Sequence, residues 1–197
     1  MILIAPLKAL KAHKLTQAKN DIRYYLNGIC FTNGEIWSTN GHVAQRSTCK
    51  LNGNLDNGRA IVEIGRLTTV RGVETAIIDT DAGIVYYIPQ VVEKRDDLDG
   101  IDYKASRLDV ATVQLIDGNF PDLDRVYPPA GQDPQGVPVI GFNTSYLKLT
   151  ADIGKVLKLK YPNTLVKFQG DSTKCAVFEM KDSNGDVYSL AVMPVRI

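Results

Sequence analysis

Residues 6–49 read PLKALKAHKLTQAKNDIRYYLNGICFTNGEIWSTNGHVAQRSTC, and this stretch decides the fold. Its opening, PLKALKAHKL, sets Leu7 and Leu10 on one side and Lys8, Lys11 and Lys14 or Leu15 on another, with Pro6 suited to a first helical position. The spacing predicts a short amphipathic helix. Beyond it, YYLNGICF, NGEIWSTN and HVAQRSTC cluster aromatic and β-branched residues and read as strands, with Tyr24 and Tyr25 on alternate faces of the first. Asn33-Gly34 is the dipeptide that favours a type I′ hairpin turn. One helix followed by antiparallel strands is therefore the unit.

The same order recurs downstream. After the polar loop LNGNLDNGR (51–59), AIVEIGRLTTVRGV spaces Ile61, Ile64, Leu67 and Val70 as a short helix ended by Gly72. ETAIIDTDAGIVYYI reads as a hairpin turning at Asp81-Ala82-Gly83, residues 92–104 as a charged loop, and DVATVQLIDG as another strand. PPAGQDPQGVP (128–138), with four prolines and two glycines, reads as a linker. A third helix is expected over FNTSYLKLTADIGKVLKLK, capped by Asn143 and apolar at Tyr146, Leu147, Ile153, Val156 and Leu157. Strands TLVKFQG, CAVFEMKD and VYSLAVMPV follow, the last hairpin turning at Asn184-Gly185. The chain is read as a degenerate repeat with a period of roughly 60 to 80 residues. Its class is α+β, with sheet on one side and helices on the other.

Composition narrows the function classes. The 197 residues are 44% hydrophobic and 23% charged, enough for a real core and against disorder. Cys30, Cys49 and Cys175 form no C-x-x-C pair, so neither a zinc site nor a disulfide framework is signalled, and a reducing cytoplasm is the expected location. No stretch has the length and apolarity of a membrane span or a signal peptide. The net charge of +1 argues against coating nucleic acid by bulk charge, yet residues 1–50 hold seven Lys/Arg against Asp21 and Glu35, a basic segment on an otherwise acidic body. DTD (79–81) and DDLDG (96–100) read as turn carboxylates rather than a calcium loop, and Gly34, Gly83 and Gly185 as hairpin glycines rather than a phosphate cradle. His42 has no Ser, Cys or Asp at catalytic spacing. No catalytic residue, metal or cofactor is expected.

Three stretches carry a resemblance. DIRYYLNGICF (21–31) with STNGHVAQRS (38–47), LIDGNFPDLDRVYP (115–128), and IGFNTSYL (140–147) with the terminal AVMPVRI (191–197) resemble, in that order, the bacterial DNA polymerase III beta subunit, the beta sliding clamp. The resemblance implies the DNA-clamp fold, with sheets outside and helices on the inner face. Residues 1–128 are similar to the middle domain, in two half-units of about 1–55 and 56–128. Residues 129–138 would be the linker, and 139–197 are similar to the second half of the last domain. The chain looks like a clamp trimmed to half length, a reduction that points to a phage or mobile-element gene.

The resemblance also implies two surfaces. A groove for short peptides of polymerase, clamp loader or repair proteins would be lined by Leu26, Thr39, Gly41, His42, Pro121, Arg125, Val126, Tyr146, Met193, Pro194, Val195, Arg196 and Ile197. Apolar Met, Val and Leu would form an adaptable pocket, and Arg125 and Arg196 would hold peptide carboxylates or carbonyls. Sequence-independent contacts to duplex DNA would come from Lys8, Lys11 and Lys14 on the first helix, Arg66 and Arg71 on the second, Lys148, Lys155 and Lys158 on the third, and Arg23, Tyr24 and Tyr25 beside them. Val43 and Ala44 stand where the family has Arg-Leu, Asn40 replaces Asp, Asp124 replaces a frequent Arg, and Ala191 is smaller than the usual valine. A ring of about twelve half-units would take about four chains, held by sheet edges that invite subunit pairing. The implied function is a non-enzymatic processivity factor; the alternative is a clamp mimic or adaptor that binds clamp-interacting proteins without encircling DNA.

Overall fold

In the computed structural model, which describes residues 1–52, 55, 57–127, 140–160, 163–169 and 173–195, the apolar start of the chain is a strand, β1 (Ile2–Pro6). Helix α1 (Leu7–Thr16) follows directly, so Pro6 closes the strand rather than opening the helix. The helix buries Leu7, Ala9, Leu10, Ala12, His13 and Thr16, each large apolar side chain contributing about 1.5–3 kcal/mol. Strands β2 (Ile29–Thr32), β3 (Glu35–Thr39) and β4 (Val43–Thr48) complete the first unit. Tyr24–Asn27 is a 3₁₀ turn, not a strand, because the Asn27 carboxamide and the Asp21 main chain bond each other and Leu26 N–H reaches back to the Arg23 carbonyl. Of the two central residues Gly34 takes a positive φ, 116°, and Asn33 does not, so the Asn33-Gly34 turn is not type I′. The Asn33 side chain is committed elsewhere, accepting from Leu55 N–H at 2.9 Å.

The second unit departs from the expected repeat. Residues 59–64 form β5 (Arg59–Ile64), and no helix occupies 61–70. Ile61, Val62 and Ile64 satisfy either period, but this run is buried on both faces of a sheet, and β-branched residues prefer that setting. Irregular chain over 65–74 stands where the helix was expected, followed by β6 (Thr75–Asp79), β7 (Ile84–Ile88) and β8 (Asp109–Ile116). The β6–β7 hairpin turns as expected, with Asp79 Oδ1 accepting from the N–H groups of Asp81 and Ala82. In the third unit, Asn143 caps α2 (Thr144–Val156) by accepting from Ser145 N–H at 2.9 Å, and β9 (Leu165–Lys167), β10 (Ala176–Lys181) and β11 (Val187–Val192) follow. The expected linker at 129–138 lies outside the described residues.

All ladders are antiparallel and run as one series, β1-β6-β7-β8-β5-β2-β3-β4-β11-β10-β9. The first two units exchange strands, since β1 pairs with β6 while β5 pairs with β2. The third unit joins the first through β4 and β11, in the register Val43↔Val192 to Ser47↔Tyr188. Alternation along the strands gives the sheet two apolar faces. One, with Phe31, Ile36, Val62 and Leu190, packs under α1 and α2; the other, with Cys30, Trp37, Ala44 and Ala191, is covered by Phe120, Leu123 and Tyr127. Helices thus sit on one face and a segment of irregular chain on the other.

The free edge of β1 is closed by a side chain. Fully buried Asn52 accepts from Ile4 N–H at 2.8 Å and donates to the Ile4 carbonyl at 2.7 Å, imitating a neighbouring strand. Asn52→Ala would strand both main-chain groups without water, and an expected loss of about 2–4 kcal/mol in chemical denaturation follows. A change below about 0.5 kcal/mol would show that the edge finds another partner.

Candidate peptide groove and helix face

The segment Thr39-Asn40-Gly41-His42 is a tight turn between β3 and β4. The Asn40 side chain accepts from the N–H groups of His42 and Val43, both at 3.0 Å, and the Thr39 hydroxyl donates to the Val43 carbonyl at 2.7 Å while accepting from Gly41 N–H. Gly41 takes φ +86°, and a Cβ there would stand 2.8 Å from the Arg23 guanidinium. Asp21 holds that guanidinium through two hydrogen bonds, and Arg23 in turn pulls the Asp21 carboxyl down to about 2. This turn points His42 outward, where its ring lies nearly parallel to Tyr146 of α2, centroids 6.1 Å apart.

The β4–β11 register, with Val43 opposite Val192, places Met193 across from His42. The chain then continues along residue 141, Val195 N–H donating to the Gly141 carbonyl at 2.8 Å. Met193 and Val195 are each 45% exposed. Gly41, His42, Tyr146, Met193, Pro194 and Val195 therefore gather at one end of the β4–β11 seam as an open apolar surface. Arg196 and Ile197 lie outside the described residues.

Pro121, Arg125 and Val126 come from the segment that crosses the same seam. Its anchor is Tyr127, whose buried hydroxyl lies 3.0 Å from the Ala44 carbonyl and 2.8 Å from that of Ser189, one on each strand of the seam. Burial pushes the phenol's pKa well up. Arg46 stacks on the Tyr127 ring at 4.2 Å and pairs with Asp124 at 3.5 Å, while Val126 packs into the cluster with Ala44 and Ala191. The Arg125 side chain is 86% exposed and leans on Asp122. Leu26, at 1% exposure, and Thr39, at 5%, stand behind the surface and shape it rather than line it. Two clefts of about 770 and 640 Å³ lie elsewhere, over β7–β8 and beside the β10–β11 hairpin, and neither contains a predicted groove residue.

The helix face is basic but largely committed. Lys8 pairs with the buried carboxylate of Asp182, and Lys14, half-buried, donates to the Ile64 carbonyl at 3.3 Å, desolvation lowering its pKa. Lys148 and Lys155 share Asp152, whose pKa they lower. Arg66 and Arg71 lie on irregular chain, not on a helix, because residues 59–64 are spent on β5; Arg66 forks onto Asp109 at 2.7 and 2.8 Å. Among the described residues, the side chains of Lys11, Arg71 and Lys158 have no partner. Tyr24 is 57% exposed and stacks edge-on against Tyr25 over Gly118.

Sequence reasoning missed the polar cluster under α1. His13, fully buried, bonds Ser38 Oγ at 2.7 Å through Nδ1 and Ser47 Oγ at 2.8 Å through Nε2, and Thr16 links Ser38 to Gln45. These are nucleophile-to-base distances, but no substrate reaches a group with no exposed surface. The partners lie 25 and 34 residues away on β3 and β4, so no local pattern announces them.

No protein-family model and no curated protein matches the sequence. Solved structures do. Over its whole length the chain is similar to a DNA polymerase sliding clamp from Pseudomonas aeruginosa (18% identity, TM-score 0.61, covering 67% of that chain). It is likewise similar to the sliding clamp of Bartonella birtlesii bound to griselimycin (18%, 0.61, 66%) and to that of Bacillus subtilis (16%, 0.58, 64%). The chain thus has the fold of the bacterial DNA polymerase III beta clamp, and spans about two thirds of the length of these proteins.

Proposed function

We propose that a chain with this fold acts as a sliding-clamp-like factor, holding replication or repair proteins on duplex DNA through a peptide site at the β4–β11 seam and contributing no catalysis of its own. The observation that carries this reading is the sheet continued from the first unit into the third with α1 and α2 together on one face. That arrangement leaves one side for phosphates and the other for partners. Closure around DNA would use several chains, about four if three units each complete a ring of twelve. Among the described residues no helix is long and apolar enough to cross a membrane.

A second reading, an adaptor that takes clamp-binding peptides without DNA, is favoured by the ion pairs that occupy Lys8, Lys148, Lys155, Arg23 and Arg66. Salt dependence separates the two. With Lys11, Arg71 and Lys158 as the uncommitted cations, log affinity for duplex DNA is expected to fall against log salt with a slope of about −3, and Lys11→Glu/Lys158→Glu to lower that slope by about two while leaving peptide binding intact. Fluorescence anisotropy on a labelled duplex reads both. No measurable DNA affinity at low salt, with peptide binding retained, would select the adaptor.

A further inference from the structure

The repeat within the chain shows how one unit completes another. In the first two units each opening strand lies on the second strand of the other unit, β1 on β6 and β5 on β2. Strand β5 also lies along the last strand of its own unit, Ile61 facing Ile116 of β8. The third unit has the matching parts. Residues 140–142 directly precede α2, and the Gly141–Val195 bridge sets them against the end of the chain's own last strand. Their other edge, and the outer edge of β9, have no partner among the described residues.

Burial records the difference. The second strands of the first two units are interior, with Cys30, Phe31, Ala76, Ile77 and Ile78 all at 0% exposure. At the same position in the third unit, Leu165 is 65% and Val166 42% exposed. Helix α1 buries six of its ten residues, whereas α2 buries only Ile153 and Gly154 of thirteen. Leu147, Leu149 and Val156 of α2 remain partly open. A strand pair and a helix face in one unit thus want the counterpart that units one and two give each other.

We propose that a second copy of this chain supplies it: two third units associate about a two-fold axis, residues 140–142 of each adding antiparallel to β9 of the other. The occupant is a copy because the missing piece is the opening segment of just such a unit, and each chain offers that segment and its acceptor together, as a self-complementary contact requires. The pairing rests on the exchange seen within the chain, and it supplies the subunit contact that a ring of the proposed kind needs. Two chains so joined would hold one composite and two complete two-unit bodies, half of a ring of twelve units.

Light scattering at micromolar concentration tests it. The wild-type chain is expected at the mass of two chains or a multiple of two, and Leu165→Asp, at an exposed position that the fold does not need, at half that mass. Hydrogen exchange on the unmutated protein gives an independent reading: amides of 140–142 and 165–167 gain protection with concentration, at least about tenfold, while those of β8 do not. A strict monomer, an assembly indifferent to Leu165→Asp, or protection confined to other edges would overturn the pairing. A monomer that still binds a clamp peptide would overturn the pairing alone. An assembly protected at β9 that binds neither peptide nor DNA would support the pairing and overturn the clamp reading.

Discussion

Lowering the pH from 7 to about 4 is expected to remove roughly 3 kcal/mol of unfolding free energy, and His13 is the reason. Desolvation holds its folded pKa down to about 3 from an ordinary 6.5. Between those values the unfolded chain binds one proton that the folded chain refuses. Stability is therefore full above pH 6.5 and falls by about 1.4 kcal/mol for each unit below it, until the folded imidazole itself titrates. Asp186, whose pKa burial and neighbouring Asp182 raise, acts in the opposite direction, and the lowered carboxyls of Asp21 and Asp109 are lost only in stronger acid. Denaturant titrations of the wild type and His13→Gln across this range isolate the histidine. The variant, deprived of at least one of the Ser38 and Ser47 bonds, is expected to be weaker by about 1–3 kcal/mol at pH 7 yet much flatter with pH. Equal slopes in the two proteins would show that some other group carries the acid sensitivity.

That histidine marks the boundary of what the sequence discloses. Local signals located α1, the Asn143 cap of α2 and the hairpins at Gly83 and Gly185, because spacing, capping and turn chemistry act within a few residues. They failed at β5, where Ile61 and Ile64 suit a helix or a strand and only the neighbours β2 and β8 decide. They failed again at MILIAP, a strand whose partner β6 begins some seventy residues on. The candidate peptide surface was legible only through resemblance. The fold brings His42, Tyr146 and Met193 to one end of the β4–β11 seam, whereas Leu26 is interior, since an apolar residue in a 3₁₀ turn gives no sign of which way it faces. The pairing of the lysines was illegible for the same reason as His13: Asp182 meets Lys8 across 174 residues of chain.

Ending the chain at Val192 is expected to abolish binding of a clamp-binding polymerase peptide, a loss of at least about a hundredfold in titration calorimetry, while leaving the fold in place. Every β4–β11 and β10–β11 pair lies at or before Val192, so the sheet survives. What goes is Met193 and Val195, two of the exposed apolar side chains at the seam, and the Gly141–Val195 bridge that holds the approach to α2. A short apolar anchor worth about 2–3 kcal/mol on each side of such a contact is enough for a hundredfold effect. Tyr146→Ala separates the site from the tail: it removes the ring that backs His42 and keeps residues 193–197. It is expected to weaken the same peptide about tenfold. The small side chains Ala44 and Ala191 leave that face of the seam to Val126 and Tyr127, so a peptide bound there would rest on a shallow surface and depend on its rim. Binding unchanged by both the truncation and Tyr146→Ala would remove the seam from consideration as the partner site.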